Sequence, residues 1–125
     1  MRRAFLLLAM TAVPAGALEP EVTHLPDLAS ERAPLNTVVP AYPGKALSER
    51  IEGDVQVCFH VDRKGKPYRI AVRRSTHRIF EKPSRRAVRA STYKPLREGQ
   101  KDSGIKTCRT FRFRLEPIEV SQPDS

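Results

Sequence analysis

Apolar and polar residues alternate one for one from Asp54 to Asp62, with Val55, Val57, Phe59 and Val61 set between Asp54, Gln56, Cys58, His60 and Asp62. A period of two predicts a strand with one buried face. The tetrad Asp62-Arg63-Lys64-Gly65 then reads as a turn in which Gly65 takes positive φ, and Ile70 and Val72 carry the apolar face into a returning strand. Pro67 has no N–H to donate, so the returning strand belongs at a sheet edge.

From Phe80 the period changes. Phe80, Ser84, Ala87, Val88 and Ser91 fall on one helical face and Lys82, Arg85, Arg86 and Arg89 around the others, which predicts a helix packed on the sheet. Pro83 fits only the first turn, so the helix starts near Phe80 to Lys82, and Tyr93-Lys94-Pro95 ends it. Ile105 to Leu115 predicts a last strand with Arg109, Phe111, Phe113 and Leu115 on one face and Cys108, Thr110, Arg112 and Arg114 on the other. Upstream, Tyr42-Pro43 followed by Lys45 to Arg50 predicts a helix of about two turns, broken by Gly53. Helix, hairpin, helix, strand is an α+β order: a small three-stranded antiparallel sheet with two helices packed on one face.

The N-terminus changes the picture of compartment. Arg2-Arg3, an apolar run from Ala4 to Val13 and the small residues Ala15-Gly16-Ala17 make a secretory leader over residues 1–17, with Leu18 as the mature start. The alternative is an uncleaved inner-membrane anchor, but the uncharged run holds Pro14 and falls short of the roughly 20 residues that span a bilayer. Residues 18–36 carry Pro20, Pro26 and Pro34 without periodicity and read as an extended linker. The domain proper is then 37–118, with a frayed tail at 119–125.

Charge comes next. The chain of 125 residues carries a formal +9, and +7 once Arg2 and Arg3 leave with the leader. An exported chain meets no nucleic acid, so acidic protein surfaces or anionic envelope surfaces are the expected partners. Catalytic chemistry is not expected. His24, His60 and His77 are scattered, Ser75, Ser84 and Ser91 have no nucleophile-elbow context, and no paired carboxylates or glycine-rich phosphate loop occur. Nor is there a local metal-ligand set or a Cys-x-x-Cys motif, so no metal, cofactor or enzymatic activity is expected.

Val38-Val39-Pro40-Ala41-Tyr42-Pro43, the segment from Arg50 to Asp62 with its Gly65 turn, and Phe111-Arg112-Phe113-Arg114-Leu115 together resemble the C-terminal domain of TonB-family energy transducers. The resemblance covers about two thirds of the chain, from Val38 to Leu115. It implies the α+β fold already read from the pattern, with the first strand central and the last strand beside it at a sheet edge. It also implies a partner, the periplasmic segment of an outer-membrane TonB-dependent receptor, paired to that edge strand. The positions carried over are Lys106, Thr107, Arg109, Phe111 and Arg112, with Tyr42 and Pro43 in the element that precedes the first helix. Two positions depart from the family pattern: Val39 stands where some relatives carry glutamine, and Ser91 where tryptophan is common. A cleaved leader and a short linker also argue against direct coupling to the ExbB and ExbD motor proteins.

In that fold the strands of Cys58 and Cys108 are neighbours, and both cysteines point away from the apolar faces. A cross-strand disulfide is therefore expected, in keeping with an oxidising compartment. Its closure of the intervening loop is worth roughly 4 kcal/mol in the chain-entropy account.

Overall fold

The computed structural model describes residues 18–26 and 32–117. The leader at 1–17, the whole tail at 119–125 and the middle of the expected linker lie outside the described residues. In chain order the elements are β1 (Leu18–Pro26), β2 (Pro34–Asn36), α1 (Gly44–Ser48), β3 (Gly53–Val61), β4 (Pro67–Ser75), α2 (Glu81–Ala90), β5 (Thr92–Tyr93) and β6 (Thr107–Pro117). One antiparallel sheet runs in the order β1-β6-β3-β4, and β2 with β5 forms a second, two-stranded sheet.

The alternating stretch forms β3 as the period requires. Val55, Val57, Phe59 and Val61 are buried, and Asp54, Gln56 and His60 lie on the more open face. The turn to β4 is held by Asp62, whose Oδ1 accepts from the backbone N–H of Lys64 (2.9 Å) and Lys66 (2.8 Å) while its carbonyl accepts from Gly65 (3.0 Å). This is the local side-chain competition that makes aspartate a turn former. Gly65 has φ +92°, and its carbonyl accepts from Tyr93 N at 2.9 Å as β5 crosses over the turn. A Cβ there would stand 1.9 Å from the Tyr93 carbonyl oxygen, so the crossing admits only glycine.

A single 3-10 turn at Arg78–Phe80 leads into α2, and Pro83 falls in the first helical turn, where its missing N–H costs no helical bond. The two serines on the apolar face are buried without penalty because each is satisfied locally. Ser84 Oγ donates to the Phe80 carbonyl at 2.7 Å, and Ser91 Oγ donates to the Ala87 carbonyl at 2.7 Å while accepting from Val38 N at 3.0 Å. Helix α1 is one short turn rather than two. Arg50, at φ 54°, ends it in a left-handed cap, with Ile51 N donating to the Ala46 carbonyl (2.8 Å) and Arg50 N to the Leu47 carbonyl (3.3 Å).

The core lies between the helices and one face of the large sheet. Phe59, Phe80, Phe111, Phe113 and Tyr93 are its largest side chains, with Val55, Val57, Val88, Ala46 and Ala87 between them. The Phe80 and Phe113 rings stack at 4.2 Å, and Tyr42 meets both edge-on at 5.7 and 5.5 Å. Each such ring buried contributes about 1.5–3 kcal/mol of transfer free energy.

The structure corrects two expectations. Leu18–Pro26 is not linker but a fourth strand of the sheet, and Pro34–Asn36 pairs with Thr92–Tyr93. The last strand therefore lies between β1 and β3 and is not an edge. The two edges are β1 and β4, the second as Pro67 predicted.

Candidate functional site: the outer side of the last strand

Strand β6 is fixed by β3 on its inner side in a regular register, from Gly53↔Phe113 to Phe59↔Thr107. Within that register Cys58 faces Cys108, their Cα atoms are 4.1 Å apart, and they form the disulfide expected from the sequence. On its outer side β6 pairs with β1 over nine positions, from Leu18↔Pro117 to Pro26↔Arg109. Val22 stands opposite Phe113 and His24 opposite Phe111. Val22 and His24 are half-buried against the domain, whereas Glu21, Thr23 and Leu25 are exposed. β1 thus reads as a strand with one docked face.

The most unusual group on this side is Arg109. It is only 4 % exposed, and no described carboxylate pairs with it. Its Nε donates to the hydroxyl of Tyr93, its guanidinium lies 5.1 Å above the Tyr93 ring, and its Nη1 contacts His24 Nε2. Arginine only donates hydrogen bonds, so His24 Nε2 is the acceptor and the imidazole is neutral, with its proton on Nδ1. Burial, and then the Arg109 charge, hold the His24 pKa below its ordinary value. Burial also raises the Tyr93 hydroxyl above its usual range, with Arg109 opposing.

The carried-over positions divide by side chain. Lys106 is exposed, and Arg112 is half-exposed with its Nε 3.8 Å from Asp54 Oδ1. Thr107 and Phe111 are buried like Arg109, so these three offer a partner their backbone or act from beneath it. Arg114, beyond them, donates to Asp54 Oδ1 at 2.9 Å and to the Gly53 carbonyl at 3.2 Å, and it pairs with Glu52 at 3.8 Å. Tyr42 and Pro43 are not at this strand's outer side. Tyr42 donates its hydroxyl to the Ile51 carbonyl at 2.5 Å and packs where the chain enters the domain. Sequence reasoning missed His24 and Val22. No apolar alternation marks them, because in Glu21-Val22-Thr23-His24-Leu25 the docked side carries polar His24 and the exposed side carries apolar Leu25. Among the described residues no group of three metal-ligating side chains comes together.

The opposite edge is blunted. β4 carries two register shifts against β3, one between Gln56 and Val57 and one between Cys58 and His60. Arg69 sits in the second with φ 50°, and Pro67, Arg73 and Arg74 complete a bulged, basic edge of the kind that resists strand addition.

Residues 38–115 match the family described as Gram-negative bacterial TonB protein C-terminal. The chain belongs to that family. Among solved structures it is similar to the solution NMR structure of the Pseudomonas aeruginosa TonB C-terminal domain, with 28% identity, a TM-score of 0.52, and coverage of 76% of this chain and 95% of that one. A search of curated protein sequences gives no match. The TonB family match begins at Val38, so β1 and β2 fall outside it. Membership supports a TonB-like role in receptor-coupled transport and identifies the chain with a protein-interaction domain. No helix among the described residues is long and apolar enough to cross a membrane.

Proposed function

We propose that this protein is a periplasmic TonB-like module that binds an extended segment of an outer-membrane receptor by strand addition to the outer side of β6. Residues 1–17 serve as its export leader, cleaved after Ala17. The observation that carries the reading is the pairing of β6 with a separate nine-residue extended segment, Leu18–Pro26, which occupies its outer side in full register. A strand that accepts one such segment has the backbone donors and acceptors to accept another in its place. Phe111 and Phe113 anchor that strand in the core, while Lys106 and Arg112 stand exposed beside it to attract acidic residues of the receptor segment. The bulges and charges of β4 make its edge a poor template, which leaves the β6 side, in the place β1 now holds, as the better one.

The test is an NMR titration of the oxidised protein with peptides from the periplasmic N-terminal segments of TonB-dependent receptors at physiological salt. Saturable shifts concentrated from Lys106 to Arg114 are expected. A folded spectrum that does not move, together with binding to anionic vesicles that vanishes at physiological salt, would turn the function toward electrostatic attachment to the envelope.

A further inference from the structure

The side of β6 that a receptor segment would use is already filled, and the fit of the resident strand is uneven. Val22 continues the apolar stripe of Phe113 and packs on the core. Glu21 and Thr23 are exposed opposite Arg114 and Arg112. The weak position is His24. A buried guanidinium calls for an anion, because a charge removed from water needs a partner to offset its lost hydration. Among the described residues, Arg109 receives only a phenol and a neutral imidazole. A carboxylate in the place of His24 would supply a charge-assisted bond to the same Nη1, and such bonds are roughly twice as strong as neutral ones.

We propose that Leu18–Pro26 is a resident occupant of the partner-binding side of β6, displaced by an incoming antiparallel strand that carries a carboxylate where His24 sits. This rests on the reading of β6 as the receptor-binding strand. The resident strand keeps an otherwise open row of backbone groups paired, which protects the protein from edge-to-edge association when no partner is present. It also lowers apparent affinity by the fraction of molecules in which it is undocked, so only a segment that satisfies Arg109 better displaces it. Arg109 is then a specificity residue acting from beneath the strand, reading one side chain of the partner.

The experiment uses two synthetic nonapeptides as probes, one with the Leu18–Pro26 sequence and one with that sequence changed His24→Glu. Each is titrated at neutral pH into the oxidised full chain and into its Val22→Asp variant, whose resident strand loses its apolar anchor. The glutamate peptide should bind the variant at least about tenfold more tightly than it binds the unmodified protein, as expected if the resident strand is docked in about nine molecules of ten. It should also bind the variant about tenfold more tightly than the histidine peptide does, and that preference should disappear with Arg109→Gln. Equal affinity of the glutamate peptide for the unmodified protein and the variant would overturn the proposal, as would equal affinity of the two peptides for the variant.

If Val22→Asp fails to fold, His24→Glu in the full chain gives the same answer from the other side. It tightens the resident strand and should weaken glutamate-peptide binding about tenfold against the unmodified protein, an unchanged affinity overturning the idea. Receptor-derived peptides separate the two readings. If they bind both proteins equally, the receptor function stands and the resident occupant fails. If they bind neither while the glutamate peptide prefers the variant, the resident occupant stands and the receptor function fails.

Discussion

Two residues carry much of what is particular to this chain. At Gly65 the backbone takes φ +92° directly beneath the Tyr93 carbonyl, and a methyl group there would have to sit 1.9 Å from that oxygen. The backbone penalty for a left-handed alanine and the penalty for forcing β5 off the turn add, so Gly65→Ala should cost about 2–4 kcal/mol in urea unfolding. A loss below about 0.5 kcal/mol would mean that β5 moves away at little cost, the range of an ordinary surface substitution. His24 predicts a pH dependence. Its pKa is lowered in the docked strand by burial and then by Arg109, the charged group that faces it from β6, with Tyr93 of β5 bonded to that same guanidinium. The undocked strand therefore binds more protons, and docking is strongest at and above the ordinary histidine pKa of about 6.5. It weakens as pH falls below that value, until the docked imidazole is itself protonated. Amide exchange from Glu21 to Leu25, corrected for intrinsic rates, should report β1 opening on acidification. His24→Gln, which keeps an acceptor without titrating, should abolish the pH dependence.

At the scale of elements, the short α1 shows how a cap sets a boundary. Its left-handed last position is held by Arg50, which has a Cβ to strain, although both cap hydrogen bonds are made. Arg50→Gly should therefore stabilise the protein by about 0.5–1 kcal/mol, read as a higher urea midpoint at unchanged slope. The elements that sequence pattern revealed are those whose burial is one-sided and whose turns are local. In β3, Val55, Val57, Phe59 and Val61 mark a buried face against solvent, and in α2 the Phe80, Ser84, Ala87, Val88 stripe does the same. β1 escaped because the half-buried positions between its prolines are Val22 and His24, one of them polar, and the prolines themselves read as linker. Prolines are compatible with it because it is an edge strand, where one row of N–H groups has no ladder partner. The β2–β5 pair escaped for a different reason. It is two pairings long and joins residues far apart in sequence, so no local period could announce it. The binding strand was legible as an element, but its surroundings were not. Arg109 and Phe111 were read as partner contacts, and only tertiary packing reveals that their side chains lie under β1 and β5.

For the whole molecule, the sheet order brings the first and last described strands side by side, and β6 returns to β3 across the entire α2 region. Such closure is long-range and opposed by chain entropy, which a short domain has limited burial to offset. The Cys58–Cys108 disulfide acts on this term, linking β3 to β6 across a sequence separation of 50 residues. It lies on the face away from the helices, so its sulfurs contribute little to the core; its effect is to forbid the expanded unfolded chain. Replacing both cysteines with alanine should therefore lower unfolding free energy by about 4 kcal/mol, most of the usual lower bound of stability for a single domain. Loss of β6 pairing in the alanine variant would show as exposed amides over residues 108–113, and β1 would be released with it because among the described residues it has no other strand neighbour. Equilibrium urea unfolding of the oxidised protein and the alanine variant checks this directly. A difference below about 1 kcal/mol would mean that the hydrophobic contacts of Phe111 and Phe113 already hold β6 in the unfolded ensemble, leaving the disulfide little entropy to remove.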